Sequence, residues 1–431
     1  MNAIRNPFTY RIPVIKLAVK KLQSAKFYAI LLVLVALAGI FILSPVISSV
    51  RNSVVIESAG QISTANVTAR SGSPEDIQAA VDAVVAAGGG TVYVPEGDFE
   101  FDIDPNKTDS HGYIVGVIIP GGINIFGAGK DKTILRQPKN PPRNSRMFHV
   151  DGKNNLPVRI SGIKFIACTN LTGYENPIDG EDAITQRGIC LLRVTDFRVD
   201  HCSFIDFSGT GVIADNRYAP RGANRGVIDH CDFDNPYKDI WERTLWGYGV
   251  GVGGTQLWDD WQSIDHYLGK YDGVNDIIYI EDCNFSRCRH AVTSNGGGFY
   301  VVRHCRFTEP RKTNYAPIDV HGLAGYTGPG GRGLEAYDNE IVGVAGVSPA
   351  FWIRGGGGVI YNNIITDCNQ GVVLAKEGDI TENWVHDLWI WGNSMNMGTL
   401  LVNHGNYTEG TEFFLSEKSY TPYPYPHPLT F

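Results

Sequence analysis

Acid is missing from the start of this chain. No Asp or Glu precedes Glu57, while Arg5, Arg11, Lys16, Lys20, Lys21 and Lys26 crowd the same end. Long apolar runs are almost missing too. Only Phe27 to Ser44 is long and apolar enough to cross a bilayer, roughly 18 residues against a hydrocarbon core of about 30 Å. With a mean hydropathy of −0.12, a polytopic membrane protein is excluded. Charged residues are only 19% of the 431. That excludes a heptad coiled coil, in which Ala, Glu, Lys, Leu and Arg approach half the chain. It does not imply disorder, because 43% of the residues are hydrophobic and can bury a large core. No helix-turn-helix or zinc-finger motif is visible. A net charge of −8 also lacks the basic face that nucleic-acid binding needs, so no nucleic-acid partner is expected.

The cations ahead of the apolar run predict a cytoplasmic basic leader over 1–26 and a transmembrane signal anchor over 27–50, with the rest outside. This expectation makes the membrane a partner through the N-terminal helix, in a single-pass protein with an extracellular C-terminal domain. A cleaved signal peptide and secretion is the alternative. The leader is long for that, and Leu43-Ser44-Pro45 lacks a small-x-small cleavage site. Residues 51–70 read as a polar stalk.

Glycine, at 50 residues, is abundant, and the rest of the chain is punctuated by it. Ser73-Pro74-Glu75-Asp76 is a helix start: an N-cap, a proline for the first helical position and acids for the positive dipole end. Ile77, Ala80, Val81, Val84 and Val85 then mark one buried helical face, and Gly88-Gly89-Gly90 stops it. Beyond Gly121 the chain repeats itself. Arg198-Val-Asp-His-Cys-Ser-Phe204, Val227-Ile-Asp-His-Cys-Asp-Phe233, Tyr279-Ile-Glu-Asp-Cys-Asn-Phe285 and Val301-Val-Arg-His-Cys-Arg-Phe307 share one template. Asn339 and Asn363 take the cysteine slot in later copies. Short β-runs at such a period, with no helices between them, predict a solenoid of strands. Coils stacked about 4.8 Å apart bury a continuous column, and the early helix covers the open first coil. The cysteines are expected to be buried free thiols packing as small hydrophobes. His201, His230 and His304 are expected to face outward at the turns, since neighbours along a strand point to opposite faces.

The segment Ser73–Gly97 resembles the opening of right-handed parallel β-helix proteins of the pectate-lyase (pectin-lyase-like) superfamily. Ile123–Arg136 resembles their early coils. The resemblance implies an all-β, right-handed parallel β-helix over 71–415 with an N-terminal capping helix. To this the sequence adds an aromatic insertion at 235–272 and a Pro/Tyr-rich tail at 416–431. The superfamily holds polysaccharide lyases, glycoside hydrolases, epimerases and non-catalytic adhesins, so the fold does not choose a reaction.

Alternation chooses a site. In Ala316–Gly322, Ile318 and Val320 should face inward and Asp319 and His321 outward. In Ser348–Arg354, Trp352 and Arg354 should face outward from a neighbouring coil. Uronate cleavage needs a group to neutralise the carboxylate, a base for the α-proton and an acid for the leaving oxygen. Arg332 or Arg354 would neutralise and His321 would be the base, oriented by Asp319, with His290 as a second candidate base. Hydrolysis needs two carboxyl groups roughly 5 to 9 Å apart, and Asp319 with Glu335 is the pair to nominate. The competing view is that these groups form salt bridges on an exposed face. In the insertion, Trp241, Trp246, Trp258 and Trp261 could stack on sugar rings or pack as a private core. The motifs of polygalacturonase-type hydrolases are absent, and so is a clear acidic calcium cluster. Calcium is the one cofactor the family resemblance leaves open. The sequence thus points to an exported polysaccharide lyase with a glycan partner. A non-catalytic glycan-binding or envelope protein comes second and a glycoside hydrolase third.

Overall fold

Ser73 begins the only α-helix among the described residues. Its Oγ accepts a hydrogen bond from the Asp76 N–H at 3.2 Å, and Pro74 opens the first turn. The helix, Pro74–Ala86, buries Ile77, Ala80, Val81 and Val84 against the strands Ala65–Thr68, Gly90–Tyr93 and Val115–Pro120. It closes the first coil, where strand edges would otherwise be open. The computed structural model describes residues 65–431, apart from 140, 154, 169–185, 217–219, 221, 236–245, 255–262, 310–314, 323–328, 344–348, 379–380 and 382–383. The leader and the apolar run to Ser44 lie outside these residues. Among the described residues no helix is long and apolar enough to cross a membrane.

Beyond the helix the chain winds as a parallel β-helix. Among the described residues the first sheet has 12 strands, from Ala65–Thr68 to Phe413–Phe414. The second and third have 10 each, from Gly97–Glu100 to Ser394–Met395 and from Val115–Pro120 to Thr399–Asn403. Neighbours in each sheet come from successive coils and pair in parallel, as in Gly226–Asp229 on Ile278–Glu281.

The repeated motif is the corner between the first and second sheets. The residue before the cysteine or asparagine slot takes the left-handed conformation: His201, His230, Asp282, His304, Asp338 and Asn362 have φ of 51–55°. Asn, Asp and His tolerate that region better than bulkier residues. The next side chain turns inward. The thiols of Cys202, Cys231, Cys283 and Cys305 donate to Ile160, Val199, Ile228 and Ile280 carbonyls of the preceding coil. None of the eight cysteines forms a disulfide. Burial pushes the Cys202, Cys231 and Cys283 thiols well up, so they stay protonated donors. Asn339, Asn363 and Asn393 continue the column, donating to Val302, Ala336 and Ile360 carbonyls at 3.0, 3.0 and 2.9 Å. Phe165, Phe204, Phe233, Phe285 and Phe307 stack beside it, with centroids 4.7–5.2 Å apart. Outside, His201 and His230 stack at 4.9 Å, each bonded through Nδ1 to the aspartate before it.

Asn363→Ala would orphan the Asn339 N–H, held at 3.1 Å, and the Ala336 carbonyl. Each buried unpaired group costs about 1–3 kcal/mol. Urea unfolding should show the midpoint fall by that order. Asn363→Cys should lose less, because a thiol serves the same slot in earlier coils.

The 235–272 stretch contains a regular strand. Tyr248–Gly253 sits in the third sheet between Thr210–Asp215 and Val292–Asn295. Of its later residues, Ile264, Tyr267 and Leu268 lie on the outer face of the first sheet and share a separate apolar cluster with Ile277, Tyr279 and Phe299. The tail runs back over the same face. Tyr420 reaches Glu335, Tyr423 and Pro424 carbonyls take Arg303, His427 N–H donates to Glu281, and Arg198 donates to Thr430 O.

Candidate active site

The third sheet carries the candidate site on its outer face. Register places Thr293 beside Asp319 and Asp319 beside Trp352 on three successive coils. Ile318, Val320, Phe351 and Ile353 fill the core, which turns Asp319, His321, Trp352 and Arg354 outward. Arg354 grips the Asp319 carboxylate with Nε at 3.1 Å and a terminal nitrogen at 2.9 Å. Its other terminal nitrogen holds Glu377 at 2.8 Å. Thr293 Oγ1 donates to Asp319 Oδ2 at 2.9 Å. His321 Nε2 lies 3.2 Å from the same oxygen. His290 Nδ1 donates to the Ala316 carbonyl at 2.7 Å, leaving Nε2 with its lone pair. The His290 and His321 rings meet edge to face at 5.7 Å.

Electrostatics fix the protonation states. Burial raises the Asp319 carboxyl, but the Arg354 guanidinium, by its charge and its hydrogen bonds, outweighs burial and holds the group well below the usual range. Burial, reinforced by Arg354 and Arg289 and opposed by Asp319, pushes His290 down to about 4 and His321 to about 3. At neutral pH the cluster therefore holds a carboxylate and two neutral imidazoles. Tyr248, whose ring lies 5.4 Å from His290 and 6.2 Å from His321, is pushed up to about 12 by burial and stays a phenol. Arg289 lies over Tyr315 at 4.2 Å, and Tyr315 packs edge-on to His290. Trp246 stacks on Tyr248 and is exposed. Donor atoms of His290, Asp319 and His321 all lie within 4.8 Å of one another. Two imidazoles and a carboxylate could hold a transition-metal ion, but Arg354 already occupies both oxygens of that carboxylate. They do not make the oxygen-rich cage that calcium takes.

The site thus gathers Asp319, His321, His290, Arg354, Trp352 and Trp246. It does not gather Arg332 or Glu335, and here the expectation is corrected. Both belong to the first-sheet turn and strand, because the chain rounds a corner after Gly322. Arg332 stacks over Tyr267 at 5.3 Å. Glu335 is buried under the tail, accepting from Gly269 N–H at 2.6 Å and Tyr420 OH at 3.1 Å. The Asp319–Glu335 pair for hydrolysis is not formed. Trp241, Trp258 and Trp261 lie outside the described residues. Thr293, Tyr248, Arg289 and Glu377 were not nominated. Register could have found Thr293, but alternation could not have found Tyr248, which stands two residues before the core residue Val250 and would be expected inward. Nothing local marks Glu377, which arrives from a later coil.

Acid should loosen this fold. His149 and His427 are also held neutral by burial, at about 4 and about 3. The unfolded chain protonates such groups near pH 6.5, so stability present above that pH drains away as pH falls toward 4. Glu335, pushed up to about 7 by burial, and Glu281 and Glu377, also raised by burial, act in the opposite sense, but they are three groups against six histidines held down, with His304 and His386 beside the four named. The urea midpoint at pH 4.5 should lie below that at pH 7.5.

Comparison with known proteins places this architecture. No protein-family model matches the sequence. A mutant tailspike protein of E. coli bacteriophage HK620, in complex with a pentasaccharide, superposes at a TM-score of 0.50 over 78% of this chain, with 14% identity. The chain is a right-handed parallel β-helix protein. This β-helix spans 56% of the tailspike's length. An alginate lyase of Paenibacillus sp. matches at a TM-score of 0.41 and 16% identity, over 79% of this chain and 99% of the lyase. A mannuronan C5-epimerase of Azotobacter vinelandii is 40% identical over 60 residues, 14% of the β-helix protein and 3% of the epimerase.

Proposed function

We propose that this protein is an exported polysaccharide lyase acting on uronic-acid-containing chains. The observation that carries the reading is the pairing of neutral imidazoles with a retained phenol on the outer face of the third sheet. The Arg289 charge reaches both histidines and Tyr248, and it offsets the substrate carboxylate. His321 donates Nε2–H to Asp319, and the Thr293 hydroxyl, 3.4 Å from His321 Nδ1, gives its proton to the same carboxylate, so the Nδ1 lone pair takes the proton from the carbon next to the substrate carboxylate. The electron pair forms the new C4–C5 double bond, the C4–O bond breaks, and Tyr248 protonates the departing oxygen. Trp246 and Trp352 offer ring faces to the sugar. The short epimerase match favours a second reading with the same first step, in which the proton returns from the opposite face and no bond is cut. The cationic leader and the apolar Phe27–Ser44 run support export on a signal anchor.

The test is a panel of purified polysaccharides incubated with residues 51–431 and read for ultraviolet absorbance of an unsaturated sugar, new reducing ends and exchange of the α-proton with deuterated water. Absorbance together with new ends is expected. Exchange without new ends identifies the epimerase. Binding with neither signal leaves a glycan-binding protein and overturns the enzymatic reading.

A further inference from the structure

A second feature lies on the same edge of the solenoid, far from the histidines. Lys153, Asn155, Arg193, Thr195, Asp196 and Arg225 line a pocket of ≈ 550 Å³. It opens where third-sheet strands Arg146–Asp151, Arg187–Leu192 and Thr210–Asp215 turn toward the first sheet. Lys153 and Arg193 both point at Asp151, each at 2.9 Å. Arg225 pairs with Asp196 at 3.0 Å. Three cations thus line one pocket and are met there by the Asp151 and Asp196 carboxylates, with the buried Asp276 carboxylate behind the rim on Asn216 and Asn224. The Arg193 Nε–H is buried and has no hydrogen-bond partner. Arg193 also holds a left-handed backbone, φ 55°, which costs an arginine more than a glycine. Within the pocket, the Thr195 hydroxyl and the Asn155 amide could bond to sugar hydroxyls.

Register ties this pocket to the candidate active site. Asp151 pairs with Leu192, Leu192 with Asp215, and Gly253 with Asn295. Val252 pairs with Ala214, so Gly253 follows Asp215, and Ser294 pairs with Val320, so His321 follows Asn295. Asp151 and His321 therefore occupy one column, five strand spacings or about 24 Å apart. A polymer lying along the axis on this face would meet both.

We infer that the Lys153–Arg193–Arg225 pocket is a distal subsite for an acidic sugar of the same polyuronate chain whose cleavage site lies at His321. The inference rests on the reading of that cluster as a uronate site. It adds a length requirement: a chain must span about five coils to gain the distal contact. Charge-assisted hydrogen bonds from Lys153 and Arg193 hold the distant carboxylate, while the body's net negative charge gives the rest of the polymer little hold.

Lys153→Gln with Arg193→Asn tests it, since asparagine accepts the left-handed backbone. The probes are oligomannuronates of graded length, titrated calorimetrically into the full chain. Long oligomers should bind the double variant about 10–100-fold more weakly, and trimers equally well. Where turnover is measurable, KM for the polymer should rise and kcat should hold. Equal weakening for trimers and long oligomers overturns the subsite, and so does no weakening for either. His321→Ala should keep the length-dependent binding, so a failed lyase assay does not decide this result. If neutral dextran binds as tightly as the uronates, the charge argument falls.

Discussion

His321→Ala is expected to lower kcat by about 10²–10⁴-fold, the usual contribution of a positioned general base, without unfolding the protein. The side chain sits at the outer edge of the third sheet and fills none of the core. Its partner Asp319 keeps Arg354 and Thr293, so the carboxylate is not stranded. The pH profile separates a base from a merely structural residue. In the free protein His321 is held down to about 3, so its lone pair is available far below pH 6.5. The acid limb of kcat/KM, which reports the free enzyme, should therefore lie well below the ordinary histidine value. A bound polyanion favours the protonated imidazole, so the acid limb of kcat should lie higher. Tyr248→Phe should remove the proton donor to the leaving oxygen. It should slow chain cleavage while α-proton exchange with solvent continues. Full turnover by His321→Ala would move the base to His290 or remove the mechanism altogether.

The parts of this architecture that were legible in the sequence are those with a period. Cys202, Cys231, Cys283 and Cys305 announce their stack because each coil needs the same small inward donor after the same left-handed turn. Asp319 and His321 announce their outward face because Ile318 and Val320 claim the inward one. Glu335 shows where that logic stops. It too alternates with inward residues, and alternation alone makes it look available. Its surroundings are set by the tail, which begins some eighty residues later and returns over the first sheet. Pattern reports which way a side chain leaves the strand, but not what later covers it. Glu377 makes the same point in reverse: it enters the site through Arg354, and its own neighbours in sequence give no sign of it.

The tail's return supplies the largest stability effect to look for. Arg303 and Glu281 are both fully buried, joined by Nε at 2.9 Å and a terminal nitrogen at 2.5 Å on the same carboxylate oxygen. Arg303 also donates to Tyr337 OH, Tyr423 O and Pro424 O at 2.7, 2.6 and 2.7 Å. The other Glu281 oxygen takes the His427 N–H at 3.0 Å. One ion pair therefore fastens both ends of the strap's central turn. Arg303→Met would leave Glu281 as a buried, unbalanced charge and orphan two tail carbonyls. Breaking a buried pair in this way costs about 3–5 kcal/mol. The expected result is a large fall in the urea midpoint and proteolytic release of residues 416–431 under native conditions. Arg303→Met with Glu281→Leu removes the stranded charge and should recover part of the loss, but it should not refasten the tail, because the donors to Tyr423 and Pro424 are still gone. Turnover should survive in both variants, since the third-sheet site lies on another face of the coil. If Arg303→Met keeps the wild-type midpoint and a protease-resistant tail, the strap is held by its tyrosines alone and the ion pair is incidental.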